Sequence, residues 1–74
     1  MKTFAEYIEN SWAIMRDHPN LPWDQMTQHQ SRKVERLLNH HGFRDSSGEI
    51  DEYNTLALNV GGVFYRIDGS GRIL

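Results

Sequence analysis

The chain contains no cysteine, and this absence excludes two common ways of stabilising a small protein. Neither a disulfide nor a zinc site built on thiolates can form. With 74 residues, the chain is predicted to form one domain, residues 1–74. A core of this size seldom contributes more than about 3 to 5 kcal/mol of net stability. We therefore expect the domain to depend on its aromatic side chains, on a partner or on self-association.

Long apolar runs are also missing, which bears on where the protein is located. Glu6 and Glu9 interrupt the one apolar stretch near the N-terminus, and no stretch approaches the roughly 20 apolar residues that a transmembrane helix needs. We therefore expect a cytoplasmic protein with no signal peptide and no membrane association. The formal net charge of −2 is too small to indicate a partner by itself.

The charges are nevertheless distributed unevenly along the chain. Residues 29–44 carry four cations and one acid, whereas residues 45–52 carry four acids and no base. The acidic segment contains Ser-Ser-Gly, which is typical of loops. We therefore predict an acidic loop over residues 44–53, anchored by Ile50 and Tyr53.

The last twenty residues show the clearest local pattern, an alternation of apolar and other side chains on both sides of Gly61-Gly62. Two glycines suit a primed two-residue turn, whose central residues need a positive φ. This turn fixes the register of a β-hairpin. The register places six apolar side chains on one face in three cross-strand pairs: Val60–Val63, Leu58–Tyr65 and Leu56–Ile67.

A second turn follows Ile67. A two-residue loop there would place Arg72 opposite Ile67, on the apolar face of the hairpin. A three-residue loop instead pairs Ile67 with Ile73 and places Gly71 at the left-handed bulge position. We therefore predict a short third strand at the C-terminus, with an outer edge that is either free or covered.

The N-terminal part of the chain predicts a first amphipathic helix. Thr3 and Glu6 form a capping-box pattern, and the helical periodicity continues from Phe4 to about Arg16 or Asp17. The apolar arc is broader than a single sheet face requires. We therefore expect side chains at its margins, such as Tyr7 and Trp12, to be partly exposed.

A second helix is predicted to begin between Pro22 and Thr27 and to end at Gly42, followed by Phe43 as the apolar residue of a left-handed cap. One arc of this helix is largely apolar and includes Gln30 and His41. The opposite arc carries five basic side chains: His29, Arg32, Lys33, Arg36 and His40. Together these patterns predict an α+β fold of order ααβββ, with two amphipathic helices packed on one face of a three-stranded antiparallel meander.

We expect this domain to bind a larger protein, as an inhibitor or adaptor that occludes a site on its partner. The alternation places Phe64, Arg66 and Leu74 on the sheet face opposite the apolar one, and exposed aromatics beside arginine are typical of interface centres. Tyr7 and Trp12 are further candidate partner-binding residues. An ordinary solvated surface explains the same residues if the acidic loop covers them or if the patch is small.

The alternative hypothesis is a nucleic-acid-binding regulator that uses the basic arc of the second helix. His29, Arg32, Lys33, Arg36 and His40 would then lie along a phosphate backbone. The same arc would equally suit an acidic protein surface, or would be a solvated face with no binding role.

The sequence does not predict an enzyme, a metal site or a cofactor. His40 and His41 are adjacent, so they point about 100° apart on a helix and cannot share a metal ion. No serine or glycine lies in a recognisable catalytic or phosphate-binding motif. In its small size and lack of catalytic groups, the chain resembles accessory proteins of phages and mobile elements, including inhibitors of bacterial defence. Self-association as a homodimer is compatible with both binding hypotheses.

Overall fold

The fold consists of one long helix and a three-stranded antiparallel sheet within residues 13–74, which are the residues that the computed structural model describes. The elements in chain order are helix α1 (Gln28–His40) and strands β1 (Ser46–Ile50), β2 (Leu56–Val60) and β3 (Val63–Ile67), and the strands lie in the order β1-β2-β3. The predicted α+β class is therefore confirmed. No helix in this part of the chain has the length and apolar character needed to cross a membrane.

Most of the first predicted helix lies in residues 1–12, outside the described part of the chain. Residues 13–17 are helical and end at Asp17, where the prediction placed the end of that helix. Ile14 in this segment is half-buried and packs against the core.

The β2–β3 hairpin has the predicted register. Its three core-facing pairs are Val60–Val63, Leu58–Tyr65 and Leu56–Ile67. The turn residues Gly61 and Gly62 have φ angles of 56° and 90°, as a primed turn requires. Of these six core-facing side chains, that of Val63 is exposed because it lies beside the turn, at the end of the hairpin.

The chain after β3 forms the predicted turn but not the predicted strand. Gly71 has a φ of 87°, and Ile67 faces Ile73 as predicted. That pairing is an isolated bridge, reinforced by a hydrogen bond of 2.8 Å from the Leu74 amide to the Arg66 carbonyl. The C-terminal residues therefore do not form the third strand of the sheet. Self-association as a homodimer stays a prediction.

The third strand is β1, which lies inside the segment predicted to be an acidic loop. The loop prediction was wrong for this strand, because Ser-Ser-Gly lacks the alternation of apolar side chains that indicates a strand. Two contacts with residues outside the segment hold it in the sheet. The Ser46 hydroxyl is buried in a hydrogen bond of 2.8 Å with His18 Nδ1, and Gly48 lies where a Cβ would come within 3.2 Å of side-chain carbons of Leu21 and Leu56.

The two predicted anchors of that segment differ in their outcome. Ile50 is half-buried and packs against the core, as predicted. Tyr53 is 79% exposed in the turn between β1 and β2, so it anchors nothing within the described residues. Asp51 organises the turn instead, because its carboxylate accepts hydrogen bonds from the Tyr53 and Thr55 amides.

Helix α1 has well-defined caps at both ends. Thr27 is the N-cap: its hydroxyl accepts from the Gln30 amide at 3.1 Å, and the Gln30 side chain accepts from the Thr27 amide at 2.9 Å. At the other end, Gly42 has a φ of 72° and the Phe43 amide donates to the Leu38 carbonyl at 2.7 Å. This is the predicted left-handed cap. The Phe43 ring remains half exposed and stacks on His18.

The core lies between α1 and the inner face of the sheet, which we define as the face that carries Leu56, Leu58 and Ile67. These three side chains are almost completely buried. The other buried apolar side chains come from the helix, from β2 and from the segment before the helix: Leu21, Val34, Leu38 and Val60. Because α1 covers the inner face, the sheet presents its opposite, outer face to solvent.

One buried polar side chain joins the helix to the sheet, at the end where β2 begins and β3 ends. Gln30 has 0% exposure, and its Nε2 donates to the carbonyls of Asn54 at 2.8 Å and Ile67 at 3.2 Å. Its Oε1 accepts from the Thr27 amide, so both amide hydrogens and the oxygen have partners. Gln30 thereby fixes the start of α1 to the β1–β2 turn and to the end of β3.

We predict that Gln30→Ala lowers the free energy of unfolding by about 1 to 3 kcal/mol, because it removes three hydrogen bonds and leaves the buried Ile67 carbonyl without this donor. This is a large fraction of the stability of a domain of this size. Urea denaturation followed by circular dichroism measures the change. Gln28→Ala is the matched control, since Gln28 is exposed on the same helical turn, and we expect a change below about 0.5 kcal/mol. Equal effects of the two substitutions would contradict the assignment.

Candidate functional site: an apolar patch on the sheet and a basic helix face

The first candidate site is the outer face of the sheet, where strand alternation places every second side chain. Phe64 lies opposite Asn59 on β2, and Arg66 lies opposite Ala57. Leu74 joins them because its amide is hydrogen bonded to the Arg66 carbonyl. We call Phe64, Arg66 and Leu74 the outer-face patch. The structure therefore brings together three of the five residues predicted to bind a partner.

The outer-face patch is open to solvent. Phe64 is 77% exposed and Leu74 is 65% exposed. The predicted loop over residues 44–53 does not cover them, because residues 46–50 form strand β1 and Tyr53 is itself exposed. Among residues 13–74, no ion pair or hydrogen bond engages the Arg66 guanidinium. The patch thus combines apolar and cationic groups that are available to a partner.

A shallow concavity of about 470 Å³ lies beside the patch. Phe64 and Arg66 form one side of it, and residues of β1 and β2 form its floor and far side. Ser47, Glu49 and Asn59 supply polar groups around it, while Ala57 supplies a small apolar surface. A partner side chain could therefore enter beside Phe64 and find hydrogen-bonding groups at the rim.

The other two candidate partner-binding residues, Tyr7 and Trp12, lie outside the described residues. Their proposed role stays a prediction.

The second candidate site is the basic face of α1, which consists of His29, Arg32, Lys33, Arg36 and His40. Four of these side chains are exposed, and Lys33 is half-buried. The opposite arc of the helix carries the buried Gln30, Val34 and Leu38. Helical geometry therefore directs the basic face away from the sheet. This separation of the two arcs is the one predicted from the sequence.

The basic face is not a plain convex surface, because the turn after β3 closes one side of it. His29, Arg32, Lys33 and Arg36 line a concavity of about 230 Å³ together with Ser70 and Gly71. The Thr27 hydroxyl donates to the Gly69 carbonyl at 2.7 Å, which holds the turn against the N-terminus of α1. A Cβ on Gly71 would lie 2.7 Å from the His29 carbonyl oxygen, so only glycine allows this close approach.

The same turn is organised by the Asp68 carboxylate. Its Oδ1 accepts from the Ser70 hydroxyl at 2.6 Å and from the Ser70 and Arg72 amides at 3.0 Å each. The hydrogen bond from the Ser70 hydroxyl, followed by that from the Arg72 amide, lowers the pKa of Asp68 below the usual value for aspartate. The negative charge of Asp68 is therefore directed into its own turn.

A buried His18–Ser46 pair was not anticipated from the sequence, since the two residues lie 28 positions apart. It borders a cavity of about 500 Å³ beside the β2–β3 turn. Within residues 13–74, His18 Nε2 has no hydrogen-bond partner. The nearby Gly61 amide is bonded to the Asp45 carbonyl and the Gly62 amide to Asn59 Oδ1, so neither is free to stabilise an oxyanion. The pair is best explained as a structural link between the residues before α1 and β1.

The described part of the chain contains no set of ligands for a metal ion, because no three histidine or acidic side chains converge there. His41 is the C-cap of α1, and its Nε2 is hydrogen bonded to the Tyr65 hydroxyl at 2.8 Å. His41 is therefore a cap residue at the edge of the core. Its neighbour His40 belongs to the basic face.

Comparisons of this chain with models of protein families, with curated protein sequences and with solved structures give no match. The function must therefore be inferred from the two surfaces themselves.

We predict that Ser70→Ala raises the pKa of Asp68 towards the usual aspartate value, because it removes the hydrogen bond that contributes most to the shift. In the unchanged protein, this carboxylate stabilises the fold above the aspartate pKa of the unfolded chain, about 3.9. That contribution is lost as the pH falls through the lower pKa of the folded state. An NMR titration of the Asp68 carboxyl carbon in both proteins measures the two values. Identical midpoints would contradict the assigned role of Ser70.

Proposed function

We propose that this chain is a non-catalytic, cytoplasmic protein-interaction domain that occludes a site on a larger partner, as an inhibitor or adaptor does. The interaction uses the outer-face patch of Phe64, Arg66 and Leu74. The proposal assumes that both predicted helices pack on the inner face of the sheet and leave the outer face to the partner.

The observation that carries the proposal is the exposure of Phe64. An aromatic ring that is 77% exposed on the outer face of β3 loses its apolar hydration only if a partner covers it. Leu74 extends the apolar area on the same face. Single exposed apolar residues are common on protein surfaces, but apolar residues grouped around an arginine have the composition of an interface centre.

Arg66 adds directionality to this apolar patch. Its guanidinium offers donors in a fixed planar arrangement, which can bind a carboxylate or backbone carbonyls of the partner. The concavity beside Phe64 offers a place for one partner side chain. A partner would therefore bind with an apolar group against Phe64 and an acceptor group near Arg66.

The sheet supplies a rigid base for this patch. Phe64 and Arg66 lie on β3, which is paired with β2 along its length, and Leu74 is tied back to β3. A preformed patch loses little conformational entropy when a partner binds. This is consistent with a domain whose role is to cover a site on another protein.

We predict that Phe64→Ala abolishes capture of the partner. The experiment is a pull-down with the immobilised full chain from nuclease-treated lysate of the source organism, followed by identification of the captured protein and titration calorimetry with it in purified form. Loss of an interface-centre aromatic is expected to weaken binding by at least about 2 kcal/mol, or roughly thirtyfold. Arg66→Ala is expected to weaken it less, because a cation that stays partly solvated contributes less to binding than an aromatic ring that the partner covers.

Tyr53→Ala is the matched control, since Tyr53 is 79% exposed and lies in the β1–β2 turn, at the end of the strands away from Phe64. Binding of the Tyr53 variant should equal that of the unchanged protein. If the two aromatic substitutions weaken binding equally, or if neither does, the outer-face patch is not the interface.

A further inference from the structure

The basic face of α1 differs chemically from the outer-face patch. The large apolar side chains that are exposed within residues 13–74 all lie outside α1, in the segments after it: Phe43, Tyr53, Val63, Phe64, Ile73 and Leu74. The basic face thus presents cations without an apolar centre. Protein interfaces usually have such a centre, whereas contacts to a phosphate backbone are made by cations and other polar donors.

The cations of this face follow the helix axis. From His29 to His40 the helix rises by about 16 Å, at roughly 1.5 Å per residue. Phosphates along one strand of a duplex are spaced at about 3.4 Å along its axis. The basic face is therefore long enough to meet several consecutive phosphates of one strand.

The end of the basic face nearest the N-terminus of α1 is concave as well as positively charged. The concavity of about 230 Å³ there is walled by Ser70 and Gly71, which the bond from Thr27 to Gly69 holds in place. The wall contributes shape rather than donors. The Ser70 hydroxyl and amide are already bonded to Asp68 Oδ1, and the Gly71 amide is bonded to the Asp68 carbonyl. The cationic side chains must therefore supply the binding groups.

In the part of the chain that the structure describes, Glu35 and Asp68 are the acidic groups next to the basic face in sequence or through the turn after β3. Glu35 lies one helical turn from Arg32, at the margin of the arc, and is half-buried. Asp68 lies behind the wall and directs its carboxylate oxygen into the turn. Neither carboxylate lines the concavity, whereas Arg32, Lys33 and Arg36 do. The concavity is therefore an electropositive site.

We propose that this basic face binds the phosphodiester backbone of nucleic acid without sequence preference, with Lys33 and Arg36 as its principal phosphate contacts. This site is independent of the outer-face patch. It lies on the far side of α1 from the sheet, so a protein partner and a nucleic acid could be bound at the same time.

The test measures binding of the full chain to fluorescein-labelled, mixed-sequence oligonucleotides, single-stranded and duplex, by fluorescence anisotropy from about 50 to 200 mM salt. The variant is Lys33→Gln/Arg36→Gln. We expect the slope of log affinity against log salt to fall by about 1.4 to 1.8, the value of two phosphate contacts, and the affinity at low salt to fall about tenfold or more. Circular dichroism verifies that the variant is folded.

The matched control is Arg16→Gln/Arg44→Gln, which removes the same charge from exposed positions outside the basic face. This variant should keep the slope of the unchanged protein. Equal changes in both variants, or no binding of either oligonucleotide at about 50 mM salt, would overturn the proposal. Polyglutamate is the competitor: if it displaces the oligonucleotide at equal charge concentration, the face binds acidic protein surfaces and the nucleic-acid assignment is wrong.

Discussion

The fold depends on the hydrogen bonds of one buried amide, the side chain of Gln30. A buried amide is stabilising only if its donors and acceptor are satisfied, and here Thr27, Asn54 and Ile67 satisfy them. These partners belong to the helix cap, to the β1–β2 turn and to the end of β3. The chain has no cysteine and therefore no disulfide. This hydrogen-bond network instead joins three segments that are distant in sequence.

The same arrangement separates the two candidate sites. Gln30 orients α1 so that its apolar arc covers the inner face of the sheet, which leaves the outer face and Phe64 in solvent. It also places the end of β3 beside the helix N-terminus, where the following turn becomes the wall of the basic concavity. One surface is apolar with a single arginine, and the other is cationic without an apolar centre. Their chemistry therefore suits two different classes of partner.

Local sequence patterns predicted those parts of the structure that local geometry controls. The Gly61-Gly62 turn fixed the β2–β3 register, and with it the position of Phe64 on the outer face. The helical period likewise predicted the basic arc of α1.

Strand β1 could not be predicted in this way, because Ser46 and Gly48 face the core through interactions with other parts of the chain. The Ser46 hydroxyl is hydrogen bonded to His18, and Gly48 leaves room for the side chains that pack above it. The wall of the basic concavity, formed by Ser70 and Gly71, was also beyond prediction because it depends on a contact between Thr27 and Gly69.

Hydrogen exchange of the Gln30 side-chain amide, followed by NMR, tests the central role of this residue most directly. Nε2 itself is buried and donates to two backbone carbonyls, so we predict that both of its hydrogens exchange much more slowly than those of the exposed Gln28 and Gln25. The two hydrogens should also show separate, well-dispersed resonances. Exchange of the Gln30 amide as fast as that of Gln28 would contradict this role, because the hydrogen bonds from Gln30 to Asn54 and Ile67 would then not hold the helix to the sheet.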